Sequence, residues 1–269
     1  MNTVGFLGTG RIAEPMVRSL SRQFPQSRIL VSRRSKEIAD RLTKLGNVEG
    51  CDNQALLDKS DTVVVCLLAN VAREVLPHLV FKETHTVISV MADISLGEIG
   101  SLIAPARHPC VTIPLPFIEQ GGCPLPVYPH SDELIRLFGE ENMVIALNQE
   151  SSIGPHFAAT AVLSTTMKQL NTVAQWLGDK TADNTDAERY VAALVSGYLG
   201  ALAKDGRNRF VEAMEDLSTE GGLNNQLRSH ITASGFYDVL RQGLEDLNGR
   251  LIRNAAAEQV RSSGNGKTD

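Results

Sequence analysis

Apolar residues fall along the first half of the chain in short unbroken runs: TVGFL (3–7), RILVS (28–32), DTVVVCLL (61–68), HTVISV (85–90) and CVTI (110–113). β-Branched residues are common in them and polar positions do not alternate, as in strands buried on both faces of a parallel sheet. Between the runs lie Ile12–Gln23, Ser35–Leu45, Val71–Val80 and Leu96–Ile103, all of helical length. Strands alternating with helices predict βαβ units and a doubly wound sheet, an α/β domain. MVIALN (143–148) reads as its last strand, and the domain is expected over residues 1–149.

From about residue 152 the period lengthens to that of helices. Pro155–Leu177 carries Phe157, Ala161, Leu163, Met167, Leu170, Val173, Ala174 and Leu177 at near-helical spacing. Further helices fit Ala187–Leu202, Arg209–Leu217, Leu223–Thr232 and Tyr237–Asn254. An all-α domain is therefore expected over 150–257, followed by a disordered tail over 258–269 that is polar and contains glycine. One stretch breaks the helical half, LSTEGGLNNQL (217–227), whose paired glycines mark a bend between helices.

Composition narrows the class. The chain has 269 residues, 42% hydrophobic and 21% charged, as in soluble globular proteins. Its 26 basic and 31 acidic residues give a net charge of -5, which argues against a nucleic-acid surface. No apolar run approaches the ~20 residues that span a bilayer. MNTVGFLG lacks a basic segment before its apolar residues, so no secretory signal is expected. Cys51, Cys66, Cys110 and Cys123 form no CxxC pair, which suits reduced thiols in a cytoplasmic protein. The histidines show no metal-ligand spacing, and no metal site is expected.

The strongest chemical signal is Gly8-Thr9-Gly10-Arg11-Ile12-Ala13, the GxGxxA form of the dinucleotide-binding fingerprint, placed between a predicted strand and a predicted helix. Gly8 is expected to make the tight turn, Gly10 to let backbone approach a pyrophosphate, and Ala13 to allow close helix–strand packing. Arg11 and Ile12 stand at the helix start, where free N–H groups and the helix dipole favour phosphate. The ribose reader is expected at the end of the second strand, where Ser32-Arg33-Arg34-Ser35 stand instead of Asp or Glu. Two guanidiniums there favour the 2′-phosphate of NADP over NAD. The competing structural reading is a solvated helix start capped by Ser35.

The opening GFLGTGRIAEPMVRSL resembles that of the pyrroline-5-carboxylate reductases, and the likeness runs over roughly residues 3–250. Asp52-Asn53 stand where that family has an Asp-Asn pair, so Asn53 is implied to bind cofactor. The family's cofactor-facing segment after the fourth strand matches Cys66-Leu67-Leu68-Ala69-Asn70, implicating Leu68, Ala69 and Asn70. Its serine-rich fifth-strand turn resembles VISVMADISLGEI (87–99), which includes Met91, and its proline loop matches IPLPFIEQGGCPLPVYP (113–129). Ser152-Ile153-Gly154-Pro155 resembles the turn that opens the helical domain. Ser218 to Asn224 occupy its substrate-holding segment, which implicates Ser218, Thr219, Gly221, Gly222 and Asn224 in catalysis.

The resemblance implies a Rossmann domain, an all-α dimerisation domain, NADPH-dependent reduction of a small cyclic imine as in proline biosynthesis, and a homodimer or assembly of dimers. Departures from the family pattern touch the substrate. Leu68-Ala69 replace Lys-Pro, Leu115-Pro116 replace Asn-Thr, and Leu223-Asn224 replace a threonine pair, with Glu220 in place of proline. A negative Glu220 suits a cationic or neutral imine better than a carboxylate.

His108, His156 and His230 are candidate proton donors, as is Lys168, which has the position of a dehydrogenase lysine without the surrounding motif. Two other readings stay open: a dehydrogenase for a small hydroxy or oxo acid, and a non-catalytic NADP-binding sensor.

Overall fold

The computed structural model describes residues 3–202 and 208–264. The chain divides into two compact units. One is built on residues up to 157 together with the chain from 248 onwards, the other on 158–247.

The first unit holds an eight-stranded sheet. Its strands are β1 (Val4–Leu7), β2 (Ile29–Ser32), β3 (Val48–Cys51), β4 (Thr62–Val65), β5 (Thr86–Ser89), β6 (Cys110–Thr112), β7 (Pro124–Tyr128) and β8 (Met143–Ala146). Their order is β3-β2-β1-β4-β5-β6-β7-β8. The chain reverses direction across the sheet between β1 and β4, the switch point beside which such folds bind ligands. Helices α1 (Ala13–Gln23), α2 (Lys36–Leu42), α3 (Asn53–Lys59), α4 (Ala69–Val75), α5 (Leu96–Leu102) and α6 (Asp132–Phe138) connect the strands.

Alternation along each strand explains the unbroken apolar runs. Phe6, Val31, Val64 and Ile88 pack with Met16, Val17 and Leu20 of α1, and all are fully buried. Leu7, Leu30, Val63, Val65 and Val87 pack in a second cluster with Leu56, Leu57, Ala72 and Ile99. Because side chains alternate between faces, both sets must be apolar when both faces are covered. Each such side chain contributes roughly 1.5–3 kcal/mol of burial. Side chains cap several of the connecting helices: Asp52 accepts from the Ala55 N–H, Ser95 from Glu98 and Ser131 from Leu134.

Two strands lie outside the apolar runs. β3, the edge strand, reads VEGC and has too few apolar residues to announce itself, yet it pairs with β2 through all four residues. β7 lies in what the sequence presents as a proline loop, and it runs antiparallel to β6, so the sheet is mixed rather than wholly parallel. The Met143 N–H donates to the Cys123 carbonyl and Leu147 to Val127, so the odd-numbered backbone groups of β7 face β8. The nitrogens of Pro124 and Pro126 point the other way, where β6 pairs only with Val127 and Tyr128. The missing donors therefore cost no ladder bond. α3 and α6 likewise follow strands that the apolar pattern leaves out. The run 61–68 also overstates its strand, which ends at Val65 and leaves Leu68 73% exposed.

The chain beyond β8 is helical: α7 (Ile153–Thr160), α8 (Val162–Thr181), α9 (Asn184–Ala201), α10 (Arg209–Asp216), α11 (Leu223–Ala233) and α12 (Phe236–Gly264). The single helix that spacing predicts over 155–177 is two, broken at Ala161, because one residue between helices hardly disturbs the apolar spacing. α12 continues to Gly264, through most of the stretch expected to be disordered, since Asn254–Val260 is rich in alanine and other helix formers. Residues 265–269 lie outside the described residues.

In the second unit α8 and α9 form a hairpin. Ala182 turns it with φ 57° and the Asp183 carboxylate caps α9 by accepting from the Asp186 N–H at 3.0 Å. A Cβ on Gly178 would lie 2.0 Å from Asn184 Oδ1 and 3.1 Å from its Cα, so glycine is what lets the hairpin close. Little else in this unit is buried. Among its described residues the buried positions are small, such as Ala174, Gly178, Ala187, Val191 and Ala213. By contrast Trp176 is 60% and Leu194 55% exposed. Among the described residues no helix is long and apolar enough to cross a membrane.

Candidate functional site

The fingerprint turn sits where β1 ends at the switch point. Gly8 has φ +94°, and a Cβ there would lie 2.6 Å from the Cys66 carbonyl oxygen at the end of β4. Both the left-handed backbone and the contact demand glycine. Over Gly10 the space is open for at least 4 Å, room for a phosphate to approach the backbone. Ala13, fully buried, seats α1 on the sheet. The N–H groups of Gly10, Arg11 and Ile12 have no acceptor among the described residues, and Ile12, at the cap position of α1, offers no capping side chain. An anion is the natural complement to such a helix start.

Glu14, in the first turn of α1, would oppose that anion, but its carboxylate is engaged. Arg41 donates to it at 2.9 and 3.1 Å and Arg18 at 3.2 Å. The Arg41 guanidinium is the main reason the Glu14 carboxyl is held below the usual carboxylate range.

At the end of β2 the four predicted residues separate. Ser32 is buried, and its hydroxyl accepts from the Gly8 N–H at 3.0 Å. Thr9 Oγ1 donates to the Ser32 carbonyl at 2.5 Å and stands 3.1 Å from its hydroxyl. Ser32 therefore ties the glycine turn to β2 instead of presenting its hydroxyl outward. Thr9, invisible to the fingerprint because that position is unspecified, completes the tie. Arg33 and Arg34 are exposed and make no ion pair among the described residues. Arg33 lies over Gly50 of β3, whose missing side chain makes room for its Nε, beside a hollow of about 360 Å³ shared with Lys36, Asp40 and Thr43. Ser35 occupies the cap position of α2 without a capping hydrogen bond, so its hydroxyl stays uncommitted.

Asn53 opens α3 at the carboxyl end of β3, and Leu68, Ala69 and Asn70 open α4 at that of β4. All are at least partly exposed. Met91 differs: its side chain is 3% exposed inside the second core cluster, so only its backbone can face a ligand.

Beyond the carboxyl ends of β5 and β6 lies a cavity of about 470 Å³. Ile94, Val111, Ile153, Phe157 and Leu251 supply apolar walls, and among the described lining residues Asp93 and Glu150 are ionisable. The Glu150 carboxylate accepts from the Leu96 N–H at 3.1 Å, and the Ser95 hydroxyl from Glu98 at 3.2 Å. Sequence spacing gives no sign of this cavity, since its lining comes from four separate stretches of chain.

The Gly-Gly segment belongs to the second unit. The Gly222 N–H donates to the Thr219 carbonyl at 3.0 Å and Gly221 has φ +71°, a turn that favours glycine at its third position. A Cβ on Gly222 would meet Thr219 Oγ1 at 2.3 Å. Gly222 then caps α11 with no side-chain acceptor, leaving the first N–H groups of the helix uncapped beside exposed Asn224. The Ser218 hydroxyl is turned back, donating to the Met214 carbonyl at 2.5 Å.

The proton-donor candidates divide as well. His156 Nδ1, on α7, lies 2.7 Å from the carbonyl of Ser152 just before that helix, and Lys168 is exposed on α8. His230 is exposed on α11, and His108 has φ 56° in the loop before β6. Burial pushes the Cys123 thiol up, which keeps it a poor nucleophile. Among the described residues no three His, Cys, Asp or Glu side chains stand together as a metal set.

Residues 3–93 match the family model described as NADP oxidoreductase, coenzyme F420-dependent. No curated protein matches the sequence. Among solved structures, the chain is similar to the pyrroline carboxylate reductase of Plasmodium falciparum with NADP bound, at TM-score 0.81 and 11% identity, covering 94% of this chain and 98% of that one. It is also similar to the 1-pyrroline-5-carboxylate reductase of Streptococcus pyogenes, at TM-score 0.77 and 17% identity, over 93% and 98%. A reductive aminase from Aspergillus terreus, in complex with NADPH and ethyl-5-oxohexanoate, matches at TM-score 0.58 and 14% identity, over 94% and 93%. At these identities the likeness establishes the fold, and it is the fold that the sequence resemblance implies.

Proposed function

We propose that this chain is an NADP-dependent oxidoreductase that reduces a small imine, as pyrroline-5-carboxylate reductases do. The observation that carries the reading is the end of β1. Gly8 is required there by both backbone and contact, the space over Gly10 is open, and three N–H groups wait without acceptors. NADP is favoured over NAD because β2 ends in two guanidiniums that make no ion pair among the described residues and an uncommitted Ser35 hydroxyl, and the ribose-reading position itself holds no Asp or Glu.

Bound NADPH would supply the hydride. An iminium carbon is already electrophilic, so the chain need only hold and orient it. By its resemblance to the family segment, Ser218–Asn224 has that task in our reading. Asn224 and the uncapped N–H groups of α11 are its free donors, while Ser218 keeps only acceptor capacity. We further propose a homodimer. The apolar side chains left exposed on α8 and α9 would then be covered by a second copy.

An NADPH-oxidation screen over cyclic imines, with and without a carboxylate, alongside 2- and 3-oxo acids, tests the reading. Turnover on an imine is expected. Turnover confined to oxo acids, lost in His156→Ala or Lys168→Ala, would replace it with a hydroxyacid dehydrogenase. Tight NADPH binding without any turnover would indicate a sensor.

A further inference from the structure

We propose that Arg41 of α2 is a positioning residue for the cofactor: by covering the Glu14 carboxylate it lets the start of α1 accept a dinucleotide pyrophosphate. The inference rests on the NADP-binding reading of the β1 turn and adds a residue to it. Glu14 is where the difficulty lies. It is the second residue of α1, and its N–H donates to the Gly10 carbonyl at 3.0 Å. Helical side chains lean towards the N-terminus of their helix. The carboxylate therefore leans to the end at which the N–H groups of Gly10, Arg11 and Ile12 have no acceptor among the described residues. One turn of helix is about 5 Å, well inside the ~8 Å over which charges act at physiological salt. An uncompensated Glu14 would repel the pyrophosphate.

The pairing removes that repulsion. Arg41 reaches across from α2 and meets the carboxylate fork to fork, Nε donating to Oε1 at 3.1 Å and Nη2 to Oε2 at 2.9 Å. Arg18, one turn along α1, adds a bond from Nη2 to Oε1 at 3.2 Å. Both oxygens are thereby occupied. The Glu14 side chain is 19% exposed, so the pair is screened less than one lying in open solvent. Its carboxyl is held below the usual range, chiefly by Arg41, and so stays charged near neutrality. Arg41 also donates from Nη1 to Glu37 at 2.8 Å, but that side chain is 90% exposed and competes weakly.

The far end of α1 supplies a comparison. There Arg22 Nη2 pairs with Glu141 Oε2 at 2.5 Å. Arg22 stands about 12 Å further along the helix than Glu14, beyond the screening length. Removing it takes away one positive charge and frees one carboxylate, as removing Arg41 does, but far from the glycine turn.

The test is fluorescence titration of the full-length protein with NADPH and with NADH. Arg41→Ala is expected to weaken both by about fivefold and to leave their ratio unchanged, since the pyrophosphate is common to both. Glu14→Gln/Arg41→Ala removes the pair and the charge together, and should return both affinities to within about twofold of wild type. Arg22→Ala should change neither. A double variant as weak as Arg41→Ala overturns the inference, because the pair would then matter only as a strap between α1 and α2. A loss confined to NADPH also overturns it, since Arg41 would then be a contact of the 2′-phosphate. So does an Arg22→Ala variant as weak as Arg41→Ala. If Arg41→Ala does not fold, Glu14→Gln decides: binding at least as tight as wild type is expected, and weaker binding overturns the inference. A wild type that binds neither cofactor would sink the reading of the β1 turn and this inference together. A failed imine screen with the fivefold loss intact would sink the reductase reading alone.

Discussion

Gly8 shows how much one position can demand. Gly8→Ala places a methyl group against the Cys66 carbonyl at a backbone angle that L side chains rarely adopt. It is expected to cost about 2–3 kcal/mol of stability, read by urea denaturation, and to abolish NADPH binding. Arg33 and Arg34 act differently, since both are exposed and neither supports the core. Arg33→Ala/Arg34→Ala should leave stability within about 0.5 kcal/mol of wild type and remove the preference for NADPH over NADH. Equal affinities for the two cofactors in wild type would refute the assignment. His85 carries a pH signature. It is buried, its Nδ1 accepts from the Lys82 N–H at 3.1 Å, and its Nε2 faces the Leu57 carbonyl at 3.0 Å. Burial lowers its pKa, so the folded protein binds fewer protons there than the unfolded chain. Its contribution is complete above the unfolded value of about 6.5 and is lost as pH falls from there towards the lower folded value. Urea midpoints should therefore drop between pH 7.5 and 5.5, and the drop should shrink in His85→Gln.

Among the elements, the bend at 219–222 is the one with the clearest local logic. Gly221→Ala must hold φ +71° with a side chain, at a cost of about 1 kcal/mol or more. If this bend holds the substrate, kcat/KM for the imine should fall while NADPH affinity stays at the wild-type value. A parallel loss of cofactor binding would point to general unfolding. Legibility also varied element by element. The strands β1, β2, β4 and β5 declare themselves because both faces are covered, which forces unbroken apolar runs. β3 and β7 do not. Their pairing partners, not their composition, make them strands, and in β7 the two prolines even argue against one until their direction is known.

At the scale of the molecule, the helical unit buries mainly small residues and leaves Trp176, Leu194 and Leu199 exposed. A unit so thin in core is poorly stable alone and invites a partner. Light scattering at micromolar concentration should give a dimer, and Leu199→Asp should shift it towards monomer. A wild-type monomer would refute the homodimer.

The amino-acid sequence by itself determined the α/β beginning, the helical remainder and the place of the dinucleotide turn. Each of these rests on local rules, the burial pattern of strands and the backbone freedom of glycine. It could not show that Ser32 is spent on the Gly8 N–H, that Met91 is buried, or that Arg33 reaches across to Gly50. Those are contacts between residues far apart in the chain. The cavity that joins Asp93, Val111, Glu150 and Leu251 exists only once β5, β6, α7 and α12 are packed together. Its lining therefore belongs to the fold, because no single stretch of sequence contains it.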